Sequence, residues 1–149
     1  MVCLGNICRS PMAKAILTKK LKEENITWVE VDSAGVSDYH EGGKADHRTM
    51  ESGAKHGIKL SSHRARQFTR RDFDNFDLIY AMDSENYADI IRLANTEEDG
   101  KKVKLLLNVL IPGSDASVPD PWFGGEKDFE NVFSLLDKAC DVIIEKIQS

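Results

Sequence analysis

The chain begins Met1-Val2-Cys3-Leu4-Gly5-Asn6-Ile7-Cys8-Arg9-Ser10-Pro11, a stretch in which a cysteine and an arginine bracket five residues. Ser10 is a favourable N-cap and Pro11 a favourable first helical residue, so we predict that a helix begins where this loop ends. The loop would then lie at the positive end of the helix. Backbone N–H groups between Leu4 and Ser10 can surround one oxyanion, and Arg9 adds a bidentate guanidinium. The stretch therefore predicts a phosphate-binding loop.

The positive end of the helix and the Arg9 guanidinium would also stabilise a thiolate at Cys3, which would make Cys3 a nucleophile at physiological pH. The alternative is a small buried cysteine at a strand end and an ordinary solvated Arg9. A second, distant stretch favours the nucleophile: Val118-Pro119-Asp120-Pro121-Trp122-Phe123-Gly124-Gly125. Asp-Pro alone is common in turns, but beside a reactive cysteine Asp120 is a candidate general acid.

These two stretches resemble the signatures of the low-molecular-weight protein tyrosine phosphatases, an N-terminal cysteine loop and a distant Asp-Pro followed by aromatic residues. The resemblance runs essentially from end to end of the chain. It includes the segments Asp32-Ser33-Ala34-Gly35-Val36-Ser37-Asp38-Tyr39, His56-Gly57-Ile58, His63-Arg64-Ala65-Arg66-Gln67 and Phe76-Asp77-Leu78-Ile79-Tyr80-Ala81-Met82-Asp83.

The resemblance implies hydrolysis of phosphotyrosine-containing proteins and small aryl phosphates in two steps, with inorganic phosphate as product. Cys3 would attack phosphorus and water would then hydrolyse the cysteinyl phosphate. Asp120 would protonate the leaving oxygen and then activate the water. Neither a metal nor an organic cofactor is expected. The phosphate oxygens would be held by Arg9 together with the loop residues Leu4, Gly5, Asn6, Ile7, Cys8 and Ser10.

Supporting roles also follow from the resemblance. Ser10 would hydrogen-bond the thiolate, and Asn6 would adopt a left-handed conformation fixed by Ser33 and His63. For His63 the plainer alternative is a half-buried histidine satisfied by backbone. The substrate pocket would be lined by Tyr39, His40, Trp122 and Phe123, and an aromatic slot suits the flat ring of phosphotyrosine better than phosphoserine. For the last two aromatics, packing of a surface loop is the alternative.

Cys8 lies in the same loop as Cys3 and is a candidate redox partner. Peroxide could convert Cys3 to a sulfenic acid, which Cys8 would capture as a reversible disulfide. Simple packing behind the loop is the alternative. We expect Cys140 to be a core residue, and the remaining histidines His40, His47 and His56 show no metal-ligand spacing.

Composition is compatible with one compact cytoplasmic domain over residues 1–149, with 41% hydrophobic residues and a net charge of −5. Because the chain is acidic overall, we do not expect it to bind nucleic acid. We see no apolar run long enough to span a membrane, and we expect a monomer. A local basic surface, Arg64, Arg66, Arg70 and Arg71, could attract acidic phosphopeptides or could simply be solvated.

Alternating helical and strand patterns predict a single three-layer α/β domain of phosphatase I-like type, with a four-stranded parallel sheet flanked by helices. The first strand should be short, because only Met1 and Val2 precede Cys3. We predict helices at Pro11–Glu24, Asp46–His56, Arg70–Phe76 and Ser84–Asn95, strands at Trp28–Asp32, Asp77–Met82 and Val103–Leu107, and a last helix whose apolar stripe is Phe129, Val132, Phe133, Leu136, Cys140, Ile143 and Ile147.

Three other functions compete with the tyrosine phosphatase. Thioredoxin-coupled arsenate reductases share the loop but need further cysteines, and no cysteine lies between Cys8 and Cys140. Protein-arginine phosphatases of the same superfamily have Thr at the position of Ile7 and remain the second enzyme candidate. A non-catalytic phosphopeptide-binding module, or a carrier that holds phosphate on cysteine, is the third. Asp120 argues against that third class, because a binder has no use for a general acid.

Overall fold

The computed structural model describes all residues, 1–149. The strands are β1 Val2–Cys3, β2 Ala34–Gly35, β3 Ile79–Ala81 and β4 Val103–Leu105. The α-helices are α1 Arg9–Glu23, α2 His47–Lys55, α3 Arg71–Asn75, α4 Ser84–Leu93, α5 Glu97–Lys101 and α6 Glu126–Gln148, and a 3₁₀ turn follows β4 at Leu106–Val109.

The four strands form one parallel sheet in the order β2-β1-β3-β4. Val2 sets the register of β1 with both neighbouring strands, because it pairs with Ala34 of β2 and with Ala81 of β3. At the other edge of the sheet, β3 pairs with β4, with Ile79 opposite Val103. A parallel sheet needs a covering layer on each face. The structure confirms the three-layer α/β class and the four-stranded parallel sheet.

Neighbouring strand residues enter different cores because side chains alternate between the faces of a sheet. Cys3 faces the larger core, which α1, α2 and α6 build, whereas Val2 faces the smaller core with α3 and α4. The last helix supplies seven of the 22 buried residues of the larger core, more than any other element, and Cys140 is fully buried there. The sequence prediction for that stripe and for Cys140 is confirmed.

The predicted start of the first helix is wrong by two residues. Helix α1 begins at Arg9, Cys8 occupies the N-cap position, and Ser10 and Pro11 lie within the first turn. Ser10 does not cap the helix because its hydroxyl instead contacts Asn6 and Cys3. The backbone of Arg9 is therefore part of the first turn of α1 and not part of the preceding loop.

The predicted strand at Trp28–Asp32 is also wrong, because β2 lies at Ala34–Gly35. A strand needs a neighbour to complete its hydrogen-bond ladder, and β1 pairs only through Val2 and Cys3. The amino group of Met1 donates to the carbonyl of Asp32 at 3.0 Å, where this edge of the ladder ends. A cavity of about 630 Å³ opens there, with residues 28–34 along one side and residues 75–80 along the other.

The remaining boundaries differ by smaller amounts. The strand predicted over Asp77–Met82 shortens to Ile79–Ala81, and the one over Val103–Leu107 turns into the 3₁₀ segment after Leu105. The predicted helices at residues 46–56, 70–76 and 84–95 are present with ends trimmed by one or two residues. Helix α5, capped by Thr96, was not predicted. None of the helices has the length and apolar character needed to cross a membrane.

Candidate active site

The sulfur of Cys3 lies at the carboxyl end of the central strand β1, under the turn that leads into α1. The backbone N–H of Asn6 points at Cys3 Sγ over 3.3 Å, and the Ser10 hydroxyl lies 3.0 Å from the same sulfur. Only 3% of Cys3 is exposed. The sulfur is thus held between a backbone donor and a hydroxyl of the cysteine loop, and either Ser10 or Cys3 can be the donor in the second contact.

Asn6 holds the turn in place from its centre. Its φ of 57° lies in the left-handed region, which costs free energy for any residue with a side chain. Four contacts hold it there. Its side-chain nitrogen donates to Ser10 Oγ at 2.8 Å and to Ser33 Oγ at 3.0 Å, its side-chain oxygen accepts from the N–H of Arg66 at 3.0 Å, and its carbonyl contacts His63 Nε2 at 2.7 Å.

The contact between His63 and the carbonyl of Asn6 shows which ring nitrogen of His63 carries the hydrogen. A backbone carbonyl can only accept a hydrogen bond, so His63 Nε2 must carry hydrogen. Burial of the ring lowers the pKa of His63 below its usual 6.5, although the bond to Asn6 opposes that shift. The ring is therefore neutral near pH 7, with its proton on Nε2. Through this hydrogen bond, the chain segment around His63 helps to hold Asn6 and the cysteine loop in place.

Gly35, at the end of β2, packs against the backbone of the cysteine loop. A Cβ atom at this position would lie 2.9 Å from the carbonyl carbon of Gly5 and 2.9 Å from the carbonyl oxygen of Leu4. The N–H groups of Val36 and Ser37 donate to the carbonyls of Cys3 and Leu4, each at 3.0 Å. The loop after β2 can approach this closely only because position 35 has no side chain.

Arg9 is fixed by contacts with Asp83, which lies just beyond β3, and with the loop that carries Asp120. Its Nη1 donates to Asp83 Oδ2 at 2.7 Å and to the carbonyl of Val118 at 3.0 Å. Its Nη2 lies 3.7 Å from Asp120 Oδ2, and the side chain is only 3% exposed. Because Nε and Nη2 donate no hydrogen bond to the protein, two parallel N–H groups stay available for an oxyanion.

The segment carrying Asp120 is tied to the sheet and to α2. The N–H of Val118 donates to the carbonyl of Met82 at 2.8 Å, and Asp120 Oδ1 accepts from the N–H of Trp122 at 3.1 Å. Arg48 donates to the carbonyl of Trp122 at 2.9 Å, and its guanidinium lies 5.4 Å from the centre of that ring. These contacts place a half-exposed carboxylate beside Arg9.

Three of the four predicted pocket residues form a rim above the cysteine loop. His40 is the central one, since a Cβ atom at Gly5 would meet its ring at 3.0 Å. The His40 ring centre lies 5.4 Å from that of Tyr39 and 6.0 Å from that of Trp122. Phe123 is 98% exposed and packs against nothing. This exposure does not fit the alternative of loop packing for Phe123, whereas Trp122 contacts Arg48 and His40 and is consistent with either interpretation.

The three cysteines are free. Cys8 is buried with Ile7, Ala65 and Phe129 on the far side of the loop, and burial raises the pKa of its thiol to about 12. The structure holds no group of three or more His, Cys, Asp or Glu side chains arranged to bind a metal ion.

Sequence reasoning missed several residues that shape the site. Asp83 carried a signal, because it follows directly on the strand predicted over Asp77–Met82 and the carboxyl ends of parallel strands meet at one edge. Arg48 and the N–H of Arg66 gave no local signal. The basic surface predicted from Arg64, Arg66, Arg70 and Arg71 is not one patch: Arg66 is paired with Asp32 and Asp72, and Arg70 donates to the carbonyl of Leu93.

Comparison with known proteins matches residues 1–149 to the family described as low molecular weight phosphotyrosine protein phosphatase. The chain belongs to this family. A low molecular weight phosphotyrosine protein phosphatase of Gallus gallus is 41% identical over 147 residues, which cover 97% of this chain and 92% of the relative. Members of the family are protein tyrosine phosphatases, and this chain is accordingly a hydrolase of phosphoproteins.

Solved structures agree with this membership. A protein tyrosine phosphatase from Entamoeba histolytica superposes on this phosphatase with a TM-score of 0.90 at 38% identity, covering 99% of this chain and 94% of that one. A Drosophila arginine phosphatase superposes with a TM-score of 0.91 at 31% identity, covering 99% of this chain and 96% of that one. The fold is thus shared between phosphatases whose names give different phosphoamino acids.

Proposed function

We propose that this phosphatase hydrolyses phosphotyrosine through a cysteinyl phosphate on Cys3, with Arg9 as the phosphate clamp and Asp120 as the general acid and base. The observation that carries the proposal is the position of Arg9. Its Nη2 is 3.7 Å from Asp120 Oδ2, and it begins the helix into which the cysteine loop leads. One guanidinium therefore brings the acid and the nucleophile to the same oxyanion site.

In the first step the Cys3 thiolate attacks phosphorus in line with the phenolic oxygen. The S–P bond forms as the P–O bond breaks, and Asp120 gives its proton to the departing tyrosine oxygen. Arg9 and the backbone N–H groups between Leu4 and Ser10 bind the three equatorial oxygens as the transition state forms. Of these residues Gly5, Ile7 and Cys8 contribute through the backbone, whereas Asn6 and Ser10 also fix the loop with their side chains.

In the second step water attacks the cysteinyl phosphate. The Asp120 carboxylate accepts the water proton, the O–P bond forms, and the S–P bond breaks to return the Cys3 thiolate and inorganic phosphate. The Ser10 hydroxyl, 3.0 Å from the sulfur, stabilises that leaving thiolate. Cys3 therefore needs hydrogen-bond donors both as attacking and as leaving group.

Selectivity for phosphotyrosine rests on the rim of Tyr39, His40 and Trp122. Aromatic groups around a narrow entrance stack on a phenyl ring, and such pairs add about 0.5–1.5 kcal/mol beyond burial. Phe123, at 98% exposure, is free to contact the peptide around the phosphotyrosine. A phosphoserine side chain is shorter and would leave the phosphate short of the sulfur.

The experiment is phosphate release from phosphotyrosyl, phosphoseryl and phosphoarginyl peptides of one sequence, with EDTA present. Wild type should act on the phosphotyrosyl peptide and Cys3→Ser on none, with both checked for folding by circular dichroism. Faster release from the phosphoarginyl peptide would favour the arginine phosphatase instead. Phosphopeptide binding without release would favour a non-catalytic module or carrier.

Asp120 has its own test. Asp120→Ala should lower kcat on a phosphotyrosyl peptide by about 10²–10⁴-fold but affect an aryl phosphate with an acidic leaving group far less in the first step. Asp115→Asn is the matched control, because it removes a carboxylate from the same long loop at a φ of 53° that Asn tolerates, and it should leave both rates unchanged. Equal losses on both substrates would contradict the general-acid role.

We infer further that the phosphatase works as a monomer in the reducing cytoplasm, without nucleic acid or membrane as partner. Support comes from its three free cysteines and its net charge of −5. Analytical ultracentrifugation checks the monomer, and fractionation of cells checks the compartment.

A further inference from the structure

Behind the cysteine loop lies a second cavity of about 480 Å³, between α1 and the segment 57–66. This rear cavity does not include Cys3, the rim aromatics or Asp120. Its volume falls within the range of small-molecule sites, about 300–1,000 Å³. No aromatic side chain other than the His63 ring lines it.

The rear cavity concentrates positive charge in an acidic protein. Only one carboxylate lines it, that of Asp32, and this group is already paired with two of the lining cations. The lining cations are Lys14, Lys19, Lys22, Lys59, Arg64 and Arg66. Such crowding of like charges in a chain of net charge −5 is unfavourable by itself, and a bound anion would relieve it.

Four of the six cations have no carboxylate partner. Lys14 and Arg66 share Asp32, whereas Lys19 is bonded only to the carbonyl of His56. Arg64 donates only to backbone carbonyls, and no ion pair forms at the other two. The unpaired four, Lys19, Lys22, Lys59 and Arg64, lie on both walls, so an anion between the walls would contact cations from each side.

The shape of the charged wall indicates the kind of anion. Lys14, Thr18 and Lys22 follow one another at four-residue spacing along one face of α1, two helical turns or about 12 Å in all. One phosphate would contact only part of this row. A chain of several phosphoryl groups would contact all of it, with Lys59 and Arg64 facing the row from the opposite wall.

The floor of the rear cavity connects it to the active site. Ser33, His63 and Arg66 line the cavity, and the same three residues hold the side chain and carbonyl of Asn6. An anion in the cavity is therefore separated from the cysteine loop by one layer of residues. Two anions this close repel each other, and the repulsion weakens the binding of each by the same factor.

We propose that the rear cavity is a regulatory site for a small polyphosphate, a condensed inorganic phosphate or a metabolite with at least two adjacent phosphoryl groups, which weakens phosphate binding in the cysteine loop. The regulatory consequence rests on the proposed function of that loop, whereas the binding does not. Binding needs only the cations and the space between the two walls.

The test measures binding of inorganic tripolyphosphate by calorimetry to Cys3→Ser with the cysteine loop saturated by orthophosphate. We expect one site per chain. In the same background, Lys22→Glu combined with Lys59→Glu should weaken binding at least about tenfold. Lys127→Glu combined with Lys138→Glu changes the net charge equally on α6 and should leave binding intact. Thermal unfolding of all variants checks that the fold is retained.

In wild type, tripolyphosphate should raise the inhibition constant of orthovanadate, and the Lys22→Glu/Lys59→Glu variant should lose this effect while keeping its basal activity. Absence of binding, equal binding by both double variants, or binding that disappears when orthophosphate fills the cysteine loop would each overturn the proposal. So would equal competition by hexaglutamate, which would indicate an acidic protein partner instead. Because the binding arm uses an inactive variant, its failure is distinct from failure of the phosphatase mechanism.

Discussion

The buried guanidinium of Arg9 forms an ion pair with the partly buried Asp83, in which Nη1 donates to Oδ2 over 2.7 Å. The same carboxylate caps α4, because its Oδ1 accepts from the N–H of Asn86 at 2.7 Å. One aspartate at the end of β3 thus fixes both the start of a helix and the orientation of the phosphate-binding arginine. With Nη1 held in this way, the Nε and Nη2 groups of the arginine remain free of hydrogen bonds to the protein.

Replacing Asp83 by Asn separates these two roles. Asn is as good an N-cap as Asp, so α4 should keep its cap, but buried Arg9 loses its charged partner. We expect Asp83→Asn to lower the free energy of unfolding by about 1–3 kcal/mol and kcat/KM by about tenfold or more. Denaturant unfolding and steady-state kinetics measure both. Asp89→Asn on α4 is the control, and an unchanged kcat/KM in Asp83→Asn would contradict the positioning of Arg9.

Arg48 is expected to position the general acid from α2. It binds the carbonyl of Trp122 and packs its guanidinium against the rings of Trp122 and Phe129, at 5.4 Å and 4.7 Å from their centres. Arg48→Ala should lower kcat by up to about 10²-fold on a phosphotyrosyl peptide, and less on a substrate with an acidic leaving group.

Arg48→Lys is the matched variant, because it keeps the charge and loses the planar stacking. It should show an intermediate defect with the same dependence on leaving group. A loss by Arg48→Ala that is equal for both substrates would mean that Arg48 acts on the fold generally and not through Asp120.

His63 should make stability depend on pH. Burial lowers its pKa in the folded state, so below the usual value of 6.5 the unfolded chain binds more protons at this site than the folded one. The free energy of unfolding therefore falls as the pH drops below 6.5 towards the folded-state pKa. His63→Gln, which can still donate to the carbonyl of Asn6, should flatten this slope in urea titrations across pH 5 to 7, about the range in which histidine titrates.

The control for His63 is His47→Gln, since the side chain of His47 is 80% exposed and pairs with Glu51 on the surface of α2. That variant should keep the slope of wild type. A slope that is equally steep in His63→Gln would assign the pH dependence to other groups.

Cys8 is proposed to protect Cys3 against irreversible oxidation. Hydrogen peroxide oxidises the Cys3 thiolate to a sulfenic acid and is itself reduced. The Cys8 thiol then attacks the sulfenic sulfur and releases water, which forms a disulfide. One molecule of peroxide supplies both oxidising equivalents. Because burial raises the pKa of Cys8 to about 12, capture requires the loop to open.

After a low dose of peroxide, dithiothreitol should restore activity to wild type and much less to Cys8→Ser. Cys140→Ser, which removes a cysteine from the other end of the chain, should recover like wild type. Irreversible loss in wild type at the same dose would favour a simple packing role for Cys8.

The sequence was sufficient for those features that local chemistry determines. The parallel sheet and the long apolar stripe of α6 follow from the side-chain pattern, whereas the left-handed Asn6 was expected only from the family resemblance of its loop. Strand length could not be predicted as well. Trp28–Asp32 has a strand-like composition, yet a strand exists only where a neighbour pairs with it, and β1 supplies pairing for two residues.

Site residues far apart in the chain were hardest to predict. Arg48 reaches Trp122, and the N–H of Arg66 reaches Asn6, through contacts that depend on how α2 and the segment after it fold back over the loop. Ser10 was misassigned as a helix cap because its type suits that role. The structure places its hydroxyl against Cys3, a contact that the family resemblance implied, and against Asn6, and neither contact can be read from the local cap pattern.

The central claim is that Cys3 becomes phosphorylated during turnover, and trapping that intermediate tests it most directly. Asp120→Ala is mixed with an aryl phosphate whose leaving group is acidic, so that the first step proceeds while hydrolysis of the intermediate is slowed. A rapid denaturing quench followed by peptide mass mapping should find one phosphoryl group on the peptide that contains Cys3, and none in Asp120→Ala combined with Cys3→Ser. A phosphoryl group on another residue, or turnover by Cys3→Ser at the rate of wild type, would contradict the account.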